Sequence, residues 1–175
     1  EMDRVLGGGF MTGSSVLLGG EPGIGKSTLA LQLAANLSHL NSVLYVSAEE
    51  SISQINSRAK RLNIKYNDLF FLNDTSIDQI FLQIEDLKPS IMIIDSIHAL
   101  TSNDSDSSLG SISQLKTSSQ KLSEYCKKNS IILMLICHIT KDGSIAGPKT
   151  LEHLVDTVLY FDQIESDELR ILRTT

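Results

Sequence analysis

The stretch Gly19–Thr28, GGEPGIGKST, is the feature that most constrains the fold of this chain. From Gly20 to Ser27 it fits the pattern G-x-x-x-x-G-K-[ST]. The apolar run Ser15–Gly19 before it predicts a strand, and Lys26–Leu40 after it predicts a helix that is apolar on most sides. A strand, a glycine-rich loop and a helix in this order predict a phosphate-binding loop, because glycines let consecutive backbone N–H groups curl around an anion.

This loop gives each of its residues a candidate role. Lys26 is expected to bridge the β- and γ-phosphates of a nucleotide, and Ser27 to ligate Mg²⁺ with its hydroxyl, assisted by Thr28. The helix that starts there adds the positive end of its dipole. The residues predicted to hold the phosphates are Glu21, Pro22, Gly23, Ile24, Gly25, Lys26, Ser27 and Thr28. The alternative, a glycine loop that matches by chance, is disfavoured by the strand and the helix around it.

Apolar runs and helical patterns alternate along the rest of the chain. The continuous apolar runs Ile91–Asp95 and Ile131–Cys137 are typical of strands buried on both faces of a parallel sheet. Other predicted strands are Ser42–Val46, Leu69–Leu72, Val155–Phe161 and Leu169–Thr174, the last two forming a hairpin. Further helices are predicted at Ile52–Leu62, Ile77–Leu87 and Ile112–Cys126. We therefore predict the α/β class, a mainly parallel sheet flanked by helices with a C-terminal antiparallel hairpin.

Polar residues follow several of these strands at their carboxyl ends, where ligands bind in open α/β sheets. Asp95 closes one of the buried runs. Together with the glycine-rich loop, it is the expected carboxylate that holds Mg²⁺ and its water shell opposite Ser27. The alternative for Asp95 is an ordinary helix cap.

Glu49 and Glu50 follow the strand Ser42–Val46 at the same edge. Either carboxylate is a candidate catalytic base that orients and deprotonates an attacking water. Two capping boxes compete for this stretch, one from Ser47 to Glu50 and one that starts at Ser51, SISQ. If Glu50 caps a helix, Glu49 is the freer carboxylate, so Glu49 is favoured as the base and Glu50 is the second candidate.

His138 and Thr140 end another strand beside this edge. A polar group there could sense the γ-phosphate and relay its presence into residues 139–149, and His138 is therefore a further catalytic candidate. The alternative is an ordinary strand-end histidine. His98 follows Asp95 and could face the site, but its sequence position assigns it no partner.

Charge and cysteine content exclude several classes of protein. The formal net charge of −6 argues against broad nucleic-acid binding by the isolated chain. No apolar run approaches the roughly 20 residues of a membrane helix, and a signal-peptide pattern is absent from the N-terminus. Cys126 and Cys137 are expected to be buried, reduced thiols, which indicates a cytoplasmic protein, and a CxxC zinc pattern is not found.

With these motifs in place, the chain resembles the RecA-superfamily ATPases and, within them, the central ATPase domain of the RadA (Sms) family of bacterial DNA-repair proteins. The matching segments are DRVLGGG (Asp3–Gly9), GGEPGIGKST, LYVSAEES (Leu44–Ser51) and IIDSIHAL (Ile93–Leu100), in the family's order. The most specific segment is HITKDGSIAGPKTLEHLVDTVLYF (His138–Phe161). Other RecA-like ATPases, including the circadian KaiC-type relatives, do not carry it in this form.

The resemblance implies a RecA-like P-loop NTPase core that binds ATP or ADP with Mg²⁺. It implies a hexameric ring that hydrolyses ATP between subunits, acts on single-stranded DNA and branched recombination intermediates, and has a recombinase as a further partner but no membrane. It supports the roles of Lys26, Ser27, Asp95 and Glu49. It also makes residues 139–149 the DNA-facing segment, with Lys141 and Lys149 as phosphate contacts. The acidic segment 101–110, which carries Asp104 and Asp106, is the poorer candidate.

The chain also departs from that family. We expect residues 1–175 to be a single RecA-like ATPase domain and a fragment, because the family's zinc module and Lon-protease-like domain are not in it. The family's Lys-Asn-Arg-Phe-Gly motif does not follow Leu169–Arg173 either, so we expect slow hydrolysis, poor assembly and a fragment that can be monomeric. The alternative function is a nucleotide-gated oligomerisation module with little turnover, as in KaiC-type relatives. A small-molecule kinase is disfavoured, since no arginine-rich lid segment is present.

Overall fold

The computed structural model of the chain describes residues 2–102, 108, 110–139, 151–163 and 169–174. Its strands are β1 (Ser15–Gly20), β2 (Val43–Ser47), β3 (Leu69–Leu72), β4 (Ile91–Asp95), β5 (Ile132–His138), β6 (Thr157–Gln163) and β7 (Arg170–Thr174). Its helices are α1 (Met2–Val5), α2 (Lys26–Leu37), α3 (Ile52–Arg61), α4 (Ile77–Leu87) and α5 (Ile112–Lys128), with 3-10 turns at Ile97–Ala99 and Glu152–Leu154. None of the helices in these ranges is long and apolar enough to cross a membrane.

One sheet of seven strands, in the order β3-β2-β4-β5-β1-β6-β7, organises the described residues. Every neighbouring pair is parallel except β6 and β7, which are antiparallel. Strands β1, β2 and β4 are buried at every position, as their continuous apolar runs predict. The predicted α/β class, the mainly parallel sheet and the antiparallel C-terminal pair are confirmed.

Helices cover both faces of the sheet, and alternate residues of each strand enter one of two cores. In β1, Leu17 belongs to the core that contains residues of α4 and α5, whereas Val16 and Leu18 belong to the core that contains residues of α2 and α3. The alternation follows from the pleat of the strand, which points successive side chains to opposite faces. Because both faces are covered, polar groups concentrate at the strand ends.

Several element boundaries differ from the prediction by one to three residues, and local contacts are visible at two of them. Helix α2 ends at Leu37 rather than Leu40, because the Asn41 side chain donates to the Leu37 carbonyl at 3.1 Å and Leu40 itself is 93% exposed. Strand β6 begins at Thr157 rather than Val155. There the Asp156 carboxylate accepts bonds from the Ser15 backbone N–H at 2.8 Å and hydroxyl at 2.9 Å, which ties the approach to β6 to the start of β1.

The register of the parallel strands brings their carboxyl ends to one edge. Ser47 lies opposite Asp95, and Gly20 lies opposite His138. The last residues of β1, β2, β4 and β5 are therefore neighbours in space although they are far apart in sequence. This edge holds the candidate site.

Candidate active site

The glycine-rich loop joins β1 to α2 and folds around the side chain of Lys26. The Lys26 ammonium is buried and donates to the carbonyls of Gly20 at 2.8 Å and Glu21 at 2.9 Å. Burial lowers the pKa of Lys26, and the charge of Asp95 opposes that shift most strongly. The lysine is thus held inside the loop by backbone oxygens, at the position where an anion would attract it.

Backbone geometry explains why this loop needs its glycines. Gly23 and Gly25 have φ angles of 82° and 111°, which are left-handed values that favour glycine. At Gly20 a Cβ would come within 2.6 Å of the Phe161 carbonyl oxygen, so a side chain there would displace β6. Glycine is therefore required in this loop for two reasons: the left-handed backbone at Gly23 and Gly25, and the close packing of Gly20 against β6.

The remaining predicted phosphate contacts lie along this loop and the first turn of α2. Pro22 and Gly23 are exposed at its tip, while Ile24 is buried beneath it. Ser27 and Thr28 are half-buried in the first turn of α2, whose cap residue Gly25 offers no side-chain acceptor. The first amides of α2 are thus left without a side-chain cap, which suits an anion.

Asp95 ends β4 beside this loop, 6% exposed. Its Oδ2 accepts a 2.6 Å hydrogen bond from the hydroxyl of Tyr45, which is 1% exposed in the neighbouring strand β2. Burial, and then the charge of Asp95, raise the pKa of Tyr45 well above its ordinary value, so the hydroxyl keeps its proton at neutral pH. Asp95 is therefore an oriented carboxylate rather than a helix cap.

Glu49 follows the end of β2 and faces two side chains, one just after β4 and one at the end of β5. The Ser96 hydroxyl donates to Glu49 Oε1, and the His138 Nε2 lies 3.3 Å from the same oxygen. The hydrogen bond from His138 is the largest cause that lowers the pKa of Glu49, to about 2. The Glu49 side chain is 46% exposed, so an ionised carboxylate stands open to solvent at the loop.

Glu50 faces away from this pair and binds Arg58 of α3 in a close ion pair. The predicted capping box from Ser47 to Glu50 is wrong, because the Ser47 hydroxyl bonds the backbone of Glu50, the Glu50 carboxylate pairs with Arg58, and α3 begins later. The box from Ser51 is confirmed, with Gln54 accepting from the Ser51 backbone N–H at 2.8 Å. Glu50 is thus engaged by a partner of its own, while Glu49 faces the loop.

A small cluster of His98, His138 and Cys137 extends the site behind Glu49. The two imidazole rings stack with centroids 5.4 Å apart, and His98 Nε2 lies 3.9 Å from Cys137 Sγ. Burial lowers the pKa of His98 to about 4 and raises the pKa of Cys137 to about 12. Cys126 and Cys137 are buried free thiols as predicted, and the described residues contain no set of three ligands that could hold a metal ion.

The opposite side of the loop is formed by the C-terminal hairpin. A Cβ placed on Gly25 would lie 3.1 Å from Arg170 Nη1 and 3.8 Å from Phe161 Cε1, so both side chains cover this glycine. Beside them is a cavity of about 640 Å³ between α1 and β7. Its walls include Arg4, Val5, Leu29, Phe161, Arg170 and Leu172. The hairpin thus adds a guanidinium and an aromatic ring to the site.

Several side chains of the site had no role in the sequence-based prediction. Tyr45 stands in an apolar strand, and a buried hydroxyl there needs a partner, which was a usable signal. Ser96 follows Asp95, and its place in the sequence gave no indication that its hydroxyl donates to Glu49. Arg58, Phe161 and Arg170 carry no local signal, because their neighbours at the site are distant in sequence.

The predicted DNA contacts Lys141 and Lys149 lie outside the described residues, as do Thr140, Asp104 and Asp106. Ile139 is the last described residue before residues 140–150, and its backbone N–H donates to the Gly20 carbonyl at 3.0 Å. That carbonyl also accepts the Lys26 ammonium. The segment that leads to Lys141 therefore starts from a hydrogen bond to the glycine-rich loop.

Comparison with known proteins places this geometry in a protein family. The model of the AAA domain family matches residues 2–144. The chain is 50% identical to the DNA repair protein RadA of Rickettsia typhi over 99% of its length and 40% of that relative. The corresponding values are 50%, 99% and 40% for RadA of Rickettsia prowazekii, and 48%, 99% and 38% for RadA of Bacillus subtilis. The chain thus spans about 40% of the length of these curated relatives.

Proposed function

The chain belongs to the AAA domain family, and from this premise we propose that it is the ATP-binding and ATP-hydrolysing domain of a RadA-like DNA-repair motor. The observation that carries the proposal is the meeting of a glycine-rich loop, Asp95 and Glu49 at one edge of the sheet. A phosphate cradle, a metal-binding carboxylate and a water-orienting carboxylate are the three parts that nucleotide hydrolysis requires.

Nucleotide binding follows from the loop. Its backbone amides from Glu21 to Thr28 hold the phosphates, and Lys26 exchanges its bonds to the Gly20 and Glu21 carbonyls for phosphate oxygens. Arg170 and Phe161 cover the other side of Gly25, and they would contact the nucleoside end of the ligand. The planar guanidinium of Arg170 there suits stacking on an aromatic base.

The oxygen donors beside the loop fit Mg²⁺, which prefers carboxylate and hydroxyl oxygens. Asp95 and the Ser27 hydroxyl would hold it. Tyr45 binds Asp95 Oδ2, and Oδ1 accepts no hydrogen bond from another described residue, so one carboxylate oxygen remains for the ion's hydration shell. When bound, the ion supplies positive charge that offsets the negative charge developing on the phosphates.

Glu49 is the carboxylate that orients the attacking water. A pKa of about 2 keeps it ionised at neutral pH, so it accepts a hydrogen bond from water, and its contact with His138 is what lowers its basicity most. If His138 turns toward a γ-phosphate, Glu49 gains basicity as the ligand arrives. Glu50 is left in a structural role, because Arg58 holds its carboxylate.

Coupling to DNA follows from the chain after β5. The Gly20 carbonyl accepts both the Lys26 ammonium and the Ile139 N–H, so a ligand that draws Lys26 away changes the hydrogen bonds of the oxygen that binds Ile139. Lys141 and Lys149 would contact single-stranded DNA from that segment. One or two lysines bind weakly alone, and a hexameric ring would multiply them on one strand. Branched recombination intermediates and a recombinase partner remain part of the same proposal.

The names of the relatives favour this motor over the alternative, a nucleotide-gated assembly module with little turnover. The experiment is ATP turnover with and without single-stranded DNA in the intact protein that carries this chain, and in its Lys26→Ala and Glu49→Gln variants. We expect DNA to stimulate turnover and both variants to abolish the stimulation. Tight ATP binding with a flat, DNA-independent turnover would support the assembly module instead.

A further inference from the structure

We propose that Tyr45 is a positioning residue that orients Asp95 for its magnesium ion. This inference rests on the proposed function, since it assigns a supporting partner to the metal-binding carboxylate of that site. Tyr45 lies in β2, its ring is buried, and its hydroxyl is the described side-chain donor to Asp95.

The sheet register produces this contact. Tyr45 lies opposite Ile93, and Asp95 follows Ile93 on the same face of β4 because strand side chains alternate. The Tyr45 side chain is long enough to reach from beside Ile93 to Asp95, two residues further along β4. Its hydroxyl lies 2.6 Å from Asp95 Oδ2. Phenylalanine would fill almost the same volume but would leave that oxygen without its donor.

The ring is fixed by its surroundings, so the hydroxyl has little freedom. Tyr45 is 1% exposed and packs against Phe71 of β3 with ring centroids 5.9 Å apart at an interplanar angle of 56°. Asp95 is also buried. A hydrogen bond between these two buried side chains therefore sets the rotation of the Asp95 carboxylate about its Cβ–Cγ bond.

Orientation of a metal-binding carboxylate by an outer partner has a known consequence. Removal of such a partner costs about 10- to 100-fold in metal affinity, because the ligand must then be ordered by the metal itself. If Tyr45 only filled the core, its replacement would change protein stability and would change metal affinity and nucleotide affinity to the same extent. The two roles can therefore be separated by comparing metal binding with nucleotide binding.

The test uses the Tyr45→Phe variant in the presence of ADP, with Mn²⁺ as a paramagnetic probe for Mg²⁺. Free Mn²⁺ is measured by electron paramagnetic resonance, and metal-free affinity for a fluorescent ADP is measured in EDTA. We expect the variant to bind Mn²⁺ about tenfold more weakly in the ADP complex and to keep its metal-free ADP affinity.

Tyr160→Phe is the matched control. It also removes a tyrosine–carboxylate hydrogen bond, of 2.5 Å to Glu152, but it lies on the other face of the sheet from Tyr45. Its Mn²⁺ and ADP affinities should equal those of the wild type. Unchanged Mn²⁺ affinity in Tyr45→Phe, or an equal loss of metal-free ADP affinity, overturns the positioning role.

A second measurement covers the case in which Tyr45→Phe does not fold. Site-specific 3-fluorotyrosine at position 45 keeps both the ring and the hydroxyl. Its ¹⁹F resonance should move when Mg²⁺ is added to the ADP complex, while the same label at position 160 should not respond. A resonance at position 45 that ignores Mg²⁺ rejects the proposal. A wild-type protein that binds no nucleotide rejects the proposed function itself, which is a different result.

Discussion

The two sides of the glycine-rich loop differ in how far the chain itself prepares them. On the metal side, where we propose that Mg²⁺ binds, Asp95 and Glu49 each have a hydrogen-bond partner supplied by another strand or loop. On the hairpin side, Arg170 covers Gly25, and its side chain forms no hydrogen bond or ion pair with another described residue. The two carboxylates are thus held in direction by fixed contacts, whereas we propose that the hairpin side, where the nucleoside would bind, adapts to its ligand.

Lys26 lies in the glycine-rich loop between the two sides, and its replacement should have the largest effect on ATP turnover. We expect Lys26→Ala to lower ATP turnover by about 1000-fold or more, since a preorganised charge at the transferred phosphate is lost. Steady-state phosphate release measures this. Lys60→Ala, at an exposed position on α3, is the control and should turn over ATP like the wild type. Retained turnover in Lys26→Ala would mean that the nucleotide binds elsewhere.

Glu49→Gln should impair ATP hydrolysis without impairing ATP binding. We expect turnover to fall by about 100-fold while ATP affinity stays within about twofold, because a glutamine still fills the position but cannot accept a proton. Single-turnover hydrolysis and equilibrium ATP binding separate the two effects.

Glu50→Gln is the neighbouring control for Glu49. It should retain turnover and lose about 1 kcal/mol of unfolding free energy, because Arg58 loses its carboxylate partner in a partly exposed ion pair. If Glu50→Gln lost turnover and Glu49→Gln did not, the assignment of the base would be reversed.

The double variant Lys141→Ala, Lys149→Ala tests whether the segment that follows β5 contacts DNA. We expect about tenfold weaker binding of single-stranded DNA in the intact protein, with a smaller salt dependence and an unchanged ATP affinity. Fluorescence anisotropy of a labelled oligonucleotide at several salt concentrations measures this. Equal losses of DNA and ATP affinity would count against a DNA contact in this segment.

Arg170→Ala tests the hairpin side. We expect about fivefold weaker ATP binding, the equivalent of about 1 kcal/mol for a partly exposed guanidinium, and unchanged affinity for inorganic tripolyphosphate. Arg173→Ala is the matched control, since Arg173 pairs with Asp162 at 2.7 Å and lies over the Tyr160 ring. Calorimetric titration with both ligands gives the comparison, and a loss of tripolyphosphate affinity would place Arg170 at the phosphates instead.

His98→Gln should give the smallest effect, visible as a change in acid stability. Burial lowers the pKa of His98 from 6.5 to about 4, so the unfolded chain takes up the proton first as the pH falls. The stability contributed by neutral His98 is complete above pH 6.5 and is lost between there and about pH 4. The variant should therefore lose less stability than the wild type between pH 7 and pH 5, by about 1 kcal/mol or less. Urea unfolding at both pH values measures this, and parallel losses would contradict it.

Local patterns were sufficient for much of the fold. The strand before Gly20 and the helix after Gly25 follow from apolar runs and turn chemistry within about ten residues on each side. The continuous run that ends at Asp95 likewise predicts a buried parallel strand, which the sheet contains. Helix ends were less predictable, as Leu40 illustrates, because a side-chain hydrogen bond from Asn41 decided where α2 stops.

Local sequence patterns were enough to predict the glycine-rich loop, the class of the sheet and the edge at which polar residues gather. These depend on residue spacing, backbone sterics and strand direction, which are local properties. The folded arrangement of strands and helices sets the other contacts, in which Tyr45 donates to Asp95, 50 positions away, and Arg58 rather than a helix end engages Glu50. It alone brought Arg170 against Gly25, because contacts between distant segments depend on strand order and packing, which no local pattern encodes.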